Sequence, residues 1–127
     1  MLLAEADRPS AGTVALAADM LFASRIRGAA SAAGVPVRVV SAAPAAVEAV
    51  RAGASRLLLD LDTRTADPIA LIRQLRSDDV TAAVEIIAFV SHVREDLIAA
   101  ARAAGATRVM ARSAFVRELP RLLSGAA

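Results

Sequence analysis

A short apolar segment of this chain ends on a carboxylate. The segment Arg56–Asp60 contains three consecutive leucines before Asp60, and Asp62 follows two residues later. In α/β proteins with a parallel sheet, ligand sites collect at the carboxyl ends of the strands. A carboxylate in that position can bind a metal ion or accept a phosphoryl group. Asp60 is therefore the first candidate for chemistry, with capping of a loop amide or pairing with an arginine as the simpler alternative.

Other polar residues follow apolar segments in the same way. They are Asp19, Ser91 and Arg112. If those segments are parallel strands, their carboxyl ends meet at one edge of the sheet. These side chains would then share a pocket with Asp60, where Arg112 could hold a carboxylate or phosphate group.

Five apolar segments alternate with five helical patterns. The predicted strands are Thr13–Ala18, Val37–Ser41, Arg56–Asp60, Val84–Val90 and Arg108–Ala111. The predicted helices are Met20–Ala33, Pro44–Ala52, one beginning at Asp67-Pro68, Arg94–Ala104 and a last one near Pro120. This alternation predicts an α/β fold, a doubly wound parallel five-stranded sheet of flavodoxin-like order 2-1-3-4-5 with helices on both faces.

Several local patterns make more specific predictions. Asp67 can cap the third helix, whose spacing turns Arg73 and Arg76 away from the apolar face that includes Ile72. Because proline lacks an amide hydrogen, Pro120 is expected to interrupt the last helix. A cap at Ser113, a short turn at Ala114–Arg117 and a restart near Pro120 follow from that rule. The apolar residues 20–22 are expected to be buried on the face of the first helix.

Length and composition restrict the functional class. The 127 residues fit one domain, predicted at 13–127 after a flexible tail at 1–12, and there is no cysteine. No apolar segment reaches the length of a membrane helix, so a cytoplasmic location is expected. All 15 basic residues are arginine, the net charge is only +2, and phenylalanine supplies all three aromatic residues. This composition does not favour nucleic-acid binding.

The order of these residues along the chain is similar to a known pattern. Asp60 ends the third predicted strand, Ala18-Asp19 follows the first, and Arg112-Ser113 follows the fifth. The segment Ser91–Ala106 has a helical pattern and ends in Gly-Ala. Over residues 13–124 the chain resembles the receiver domain of bacterial response regulators, which has the CheY-like fold.

The resemblance implies a phosphoryl-transfer site. In receivers an acidic pair and an acceptor aspartate hold Mg²⁺, a lysine and a hydroxyl contact the phosphoryl group, and an aromatic residue in the fifth strand switches position. Asp60 matches the acceptor. Because Ala18 stands beside Asp19 and halves the acidic pair, Asp19 and Asp60 are expected to bind Mg²⁺ only weakly, with Asp62 offering a further oxygen. Ser91 has a hydroxyl, but strand alternation is expected to point it away. The positions that depart from the pattern are Ala18, Val90, Val109, Arg112 and Ser113.

These departures favour a pseudo-receiver, a stand-alone protein-interaction module of bacterial signal transduction that is independent of phosphorylation and is not an enzyme. A kinase or effector chain is the expected partner, and a homodimer is an alternative. The resemblance places the interaction face at Arg102, Arg108, Phe115 and Arg117. A second hypothesis is a working receiver that a histidine kinase or phosphorelay modifies at Asp60. A third is a small-ligand sensor that uses Asp19, Asp60, His92 and Arg112.

Overall fold

The computed structural model describes residues 12–91 and 94–124. His92 of the hypothetical ligand-sensor site and residues 1–11 of the predicted tail lie outside these ranges. The strands are β1 (Thr13–Leu16), β2 (Val37–Val40), β3 (Arg56–Asp60), β4 (Glu85–Val90) and β5 (Arg108–Ala111). The helices are α1 (Met20–Ala33), α2 (Ala43–Arg51), α3 (Pro68–Ser77), α4 (Glu95–Ala104) and α5 (Arg112–Ser124).

All five strands form one parallel sheet in the order β2-β1-β3-β4-β5, which confirms the predicted topology. Leu16 at the end of β1 lies beside Val40 on one side and Leu59 on the other, and Asp60 lies beside Phe89. The carboxyl ends of β1, β3 and β4 are therefore neighbours. This register brings the loops that follow them to one edge.

Alternating side chains divide the core between the two faces of the sheet. Leu57 and Leu59 pack with helices α2, α3 and α4, whereas Leu58 packs with α1 and α5. In β4, Ile87 and Phe89 share the face of Leu58. Burial on both faces explains why the interiors of the central strands, Leu57–Leu59 and Ile86–Val90, are continuously apolar. By the same alternation, Asp60 belongs to the side covered by α1 and α5.

The helix α5 is continuous, so the predicted turn at Ala114–Arg117 and the restart near Pro120 are wrong. The helix begins at Arg112, which places Ser113 inside its first turn, and Pro120 lies within it. Pro120 is exposed while other residues of the helix are buried. Burial of this apolar face outweighs the cost of the proline. The buried residues of the helix are Phe115, Leu119, Leu122 and Leu123.

The expected burial at the start of α1 is wrong for two residues. Met20 is 83% exposed and Leu21 is 84% exposed, whereas Phe22 is buried. The helix begins just beyond the edge of the sheet, and its buried face is formed by Phe22, Ala23, Ile26 and Ala30. Its first two residues therefore project past the core.

No helix in the ranges 12–91 and 94–124 has both the length and the apolar character that a bilayer span requires.

Candidate functional site

Both carboxylate oxygens of Asp60 have donors within the protein. The residue is only 2% exposed. Its Oδ1 accepts a hydrogen bond from the backbone N–H of Asp62 at 2.8 Å, and its Oδ2 accepts one from Nη2 of Arg112 at 3.2 Å. The strand-end pocket therefore contains an ion pair between Asp60 and Arg112. Capping of a loop amide and pairing with Arg112, the simpler interpretations of this aspartate, both occur.

Burial raises the pKa of the Asp60 carboxyl above its ordinary value. The Asp62 amide and the Arg112 guanidinium act in the opposite direction, and the carboxylates of Asp62 and Asp19 raise the pKa further. Burial and the repulsion from the neighbouring carboxylates together outweigh the stabilisation that the two donors give the ionised form. The ionised form of Asp60 is therefore less favourable in the folded protein than in the unfolded chain.

This balance makes the contribution of Asp60 to stability depend on pH. When the folded pKa exceeds the unfolded pKa, the folded state binds the proton more tightly, and stability falls as pH rises between the two values. The ordinary pKa of this group is 3.8. The free energy of unfolding of D60N minus that of wild type should therefore be constant well below this pH, increase as the pH rises from 3.8 to the folded pKa, and level off above it. Urea denaturation of both proteins at a series of pH values measures it. A decrease over that window would mean that Arg112 lowers the pKa more than burial raises it.

Arg112 is fixed by aromatic rings as well as by Asp60. Its Cζ lies 4.4 Å from the ring centroid of Phe22 and 5.9 Å from that of Phe89. Its side chain is 26% exposed, and its Nε is buried without a hydrogen-bond partner among the described residues. A guanidinium over an aromatic face gains cation–π attraction. The arginine is thus held on two sides, and free rotation toward a new ligand would break both contacts.

The three phenylalanines form one cluster beneath the ion pair. The rings of Phe89 and Phe115 stack with centroids 4.2 Å apart, and Phe22 lies 4.9 Å from Phe89 and 5.8 Å from Phe115. Phe115 is fully buried. Its predicted place on an interaction face is therefore wrong, because its ring is part of the core between α1, β4 and α5.

The other predicted pocket residues are near Asp60 but are engaged elsewhere. Asp19 caps α1, its Oδ1 accepting from the amides of Leu21 at 2.9 Å and Phe22 at 3.1 Å. Asp62 accepts from the amide of Ser91 through Oδ2 at 2.6 Å, and its Oδ1 is 4.0 Å from Nη1 of Arg94. The contacts of these two carboxylates are thus with other groups, and none of them joins either carboxylate to that of Asp60.

Val90 and Ser91 stand where a phosphoryl-binding hydroxyl would be expected. Val90 is buried in β4 and offers only methyl groups. Ser91 lies one residue beyond the strand, so strand alternation does not determine its direction, and the residue lines the crevice beside Arg112. The expectation that strand alternation points Ser91 away therefore does not apply, and a role for its hydroxyl at the site stays a prediction.

The residues around Asp60 do not fit a magnesium site. Mg²⁺ requires several oxygen ligands in octahedral arrangement. One oxygen of Asp60 faces a guanidinium, one oxygen of Asp19 caps α1, and Ala18 adds no carboxylate. In the part of the chain that the structure describes, no group of three acidic or histidine residues could hold a metal ion. The weak Mg²⁺ site predicted at Asp19 and Asp60 is not supported.

A crevice of about 640 Å³ opens beside the ion pair, between the first turns of α1 and α5. We call it the α1 crevice. Leu21, Phe22 and Val116 give it apolar walls, and Arg25 and Arg112 give it positive charge. Ligand sites commonly combine apolar walls with a few polar groups in this way. The crevice extends from the strand ends to the exposed start of α1.

The rest of the predicted interaction face is basic and exposed. Arg102, Arg108 and Arg117 are all exposed, and Nη2 of Arg108 lies 3.6 Å from Oε1 of Glu118. Val109, in the position of the aromatic switch, is partly buried against the core. The surface of α4, β5 and α5 therefore offers guanidinium groups and no large exposed apolar side chain among the described residues.

Comparison with solved structures identifies the fold. The receiver domain of a sensor histidine kinase from Pseudomonas aeruginosa, with a magnesium ion coordinated in its active-site cleft, superposes with a TM-score of 0.78 at 19% identity, covering 91% of this chain and 95% of that one. The chemotaxis response regulator CheY4 of Vibrio cholerae gives 0.77 at 14% identity, with 92% and 98% covered. The signal receiver domain of a DNA-binding response regulator from Colwellia psychrerythraea gives 0.75 at 15% identity, with 89% and 98% covered.

No protein-family model matches the sequence, and no curated protein matches it either. The structural likeness extends over nine-tenths of the chain at identities of 14–19%. The chain thus has the fold of a response regulator receiver domain, the CheY-like fold, as the sequence predicted. At these identities the likeness establishes the fold, and the chemistry must be argued from the site itself.

Proposed function

We propose that this chain is a receiver-fold signalling module that acts through protein contacts without a phosphorylation cycle at Asp60. The observation that carries the proposal is the ion pair between the buried Asp60 and the partly exposed Arg112, which lies over the phenylalanine cluster. The carboxylate oxygen that would attack a phosphodonor is paired with a guanidinium. The guanidinium of Arg112 also occupies the space beside Asp60 in which the charge of a phosphoryl group would be neutralised.

Phosphorylation of a carboxylate requires compensation for the charge of the incoming group, by a metal ion and by mobile donors. Here the cation is the planar guanidinium of Arg112, which is held against Phe22 at 4.4 Å and differs in geometry from a lysine ammonium. Val90 cannot donate a hydrogen bond to a phosphoryl oxygen. Val109 has no ring whose movement could transmit the change. The replacement of a lysine by Arg112, of a hydroxyl by Val90 and of an aromatic ring by Val109 therefore supports a module that works without a receiver switch.

A phosphoryl analogue tests this proposal directly. Amide NMR spectra of the chain, recorded with Mg²⁺ and beryllofluoride, should show no shifts that depend on Asp60. The matched control is D60N, which removes the acceptor oxygen. Shifts centred on Asp19, Asp60 and Arg112 in wild type that vanish in D60N would instead support a working phospho-acceptor.

A gain-of-function variant makes a negative result informative. The triple variant restores the acidic pair, the hydroxyl and the lysine of receivers on the same backbone. Its substitutions are Ala18→Asp, Val90→Thr and Arg112→Lys. Asp60-dependent shifts in this variant, with none in wild type, would attribute the loss to these three positions. If the folded variant also shows no Asp60-dependent shifts, something other than these residues blocks the site, and the ion pair of Asp60 with Arg112 is not the cause.

The partner surface follows from exposed charge. The three guanidinium groups of Arg102, Arg108 and Arg117 favour a protein partner that presents acidic groups. The buried Phe115 does not contribute to this surface, so its contribution to any complex is through folding alone.

A further inference from the structure

Three large apolar side chains are exposed in the described part of the chain. They are Met20 at 83%, Leu21 at 84% and Val80 at 61%. Met20 and Leu21 begin α1 and so lie at the carboxyl edge of the sheet, whereas Val80 precedes β4 and lies at the amino edge. Single exposed apolar residues are ordinary. These three divide between two opposite ends of the molecule.

The surroundings of Val80 hold it in an exposed position. Asp78 accepts a hydrogen bond from the amide of Val80 at 2.9 Å and forms an ion pair with Arg51. The hydroxyl of Thr81 donates to the carbonyl of Leu75 at 2.7 Å. We call residues 78–81 the Val80 turn. Because its backbone is fixed by these contacts, Asp79 and Val80 form a small ordered projection with one negative charge beside an apolar side chain.

The α1 crevice has the complementary character. Leu21 and Val116 give an apolar wall. Arg25 lies on the same crevice, as does the carboxylate of Asp19, whose Oδ1 accepts from the first amides of α1. Within residues 12–91 and 94–124, neither Arg25 nor Asp79 takes part in an ion pair. An exposed cation beside an apolar wall at one end thus matches an exposed carboxylate beside an apolar side chain at the other.

We infer that the chain self-associates head to tail, with the Val80 turn of one copy seated in the α1 crevice of the next. Val80 contacts Leu21 and Val116, and Asp79 pairs with Arg25. The two surfaces differ and lie at opposite edges of the sheet, so the contact is heterologous and leads to a ring or an open filament rather than a twofold dimer. This inference goes beyond the proposed function and does not depend on Asp60.

Sedimentation velocity of the full chain over a range of concentrations tests the inference. We expect the weight-average mass to rise with concentration and the association to weaken with added salt, since an exposed charge pair contributes to it. Val80→Asp and Leu21→Asp should each weaken association by about tenfold or more, equivalent to about 1.4 kcal/mol. Both residues are exposed, so thermal unfolding should confirm that the variants remain folded.

Charge reversal at the pair identifies the contact. Asp79→Arg and Arg25→Asp should each weaken association, and the double variant should regain a large part of it. Arg108→Glu on the surface of α4, β5 and α5 is the matched control and should leave association unchanged. A chain that stays monomeric at every concentration would overturn the inference. So would association that responds to Arg108→Glu and ignores Asp79→Arg, since that pattern belongs to a different interface.

The outcome is separable from the proposed function. Beryllofluoride reports on Asp60, and sedimentation reports on the two ends of the molecule. Shifts with beryllofluoride would contradict only the proposed function, and a chain that stays monomeric would contradict only the proposed self-association.

Discussion

Replacing Phe115 with alanine is expected to lower the free energy of unfolding by about 3–5 kcal/mol, the range for large aromatic truncations in a packed core. The ring is fully buried, stacks on Phe89 with centroids 4.2 Å apart and lies 5.8 Å from Phe22. Its removal opens a cavity and takes away one side of the aromatic cluster. Urea denaturation at 25 °C, fitted to a two-state transition, measures the change.

The matched control is Leu21→Ala, which truncates an apolar side chain that is 84% exposed. Its effect should stay within about 0.5 kcal/mol, as for most exposed positions. Equal losses in the two variants would contradict the described burial of Phe115. The comparison also decides how any effect of Phe115 variants on partner binding should be interpreted, since a destabilised core reduces binding indirectly.

The arrangement of the sheet could be predicted from sequence because burial on two faces leaves a strong pattern. Segments such as Leu57–Leu59 have no polar alternation, which is characteristic of strands covered by helices on both sides. Gly34 and Gly105, each at positive φ, terminate their helices as their positions suggest. Regular alternation of these signals predicts a parallel sheet, and the flavodoxin-like order that is favoured for five such strands is the order observed.

The end of the chain was harder because a local rule opposed a tertiary one. Pro120 predicts a break in the helix, but Phe115, Leu119 and Leu122 recur at a spacing that places them on one buried face of α5. That spacing was the available signal, and it also marks Phe115 as a core residue. The stabilisation from packing along the whole face exceeds the penalty at one position.

The candidate site could be located from sequence, although its contacts could not be assigned. Strand ends predicted that Asp60 and Arg112 would meet, and they form an ion pair. The choice of Asp19 as a helix cap, and of Phe22 as the support of Arg112, depends on directions that only the folded chain determines. A sequence pattern specifies which elements meet, whereas competition among donors determines which atoms pair.

Arg76 shows the same limit, and it supports a second large prediction. Its place in α3 predicts a solvent-facing side chain, but the guanidinium donates to the carbonyls of Ala82, Val84 and Gly105 at 2.7, 2.6 and 2.9 Å. It also donates to Oγ1 of Thr107 at 3.2 Å. Burial lowers the pKa of Arg76 below its ordinary value. No carboxylate among the described residues pairs with it. One side chain thus connects α3 with the start of β4 and the loop before β5.

The packing around Arg76 leaves little room for another arrangement. A Cβ added at Gly105, where φ is 117°, would lie 2.8 Å from Cγ of Arg76. The glycine allows the arginine stem to pass close to the backbone at the end of α4. The guanidinium therefore occupies a fitted position, and a flexible substitute cannot reproduce its fixed fork of donors.

Arg76→Met should therefore lower the free energy of unfolding by about 3 kcal/mol, because three partly buried carbonyls lose their donor while the apolar stem is kept. Arg76→Lys should recover only part of this loss. The matched control is Arg73→Met, an exposed position on the same helix, which should change stability by less than about 0.5 kcal/mol. Hydrogen exchange should locate the weakening at the amides of Ile86 and Gly105, whose surroundings the guanidinium connects. If Arg73→Met and Arg76→Met are equally mild, water replaces the guanidinium at these carbonyls and the connection contributes little to the fold.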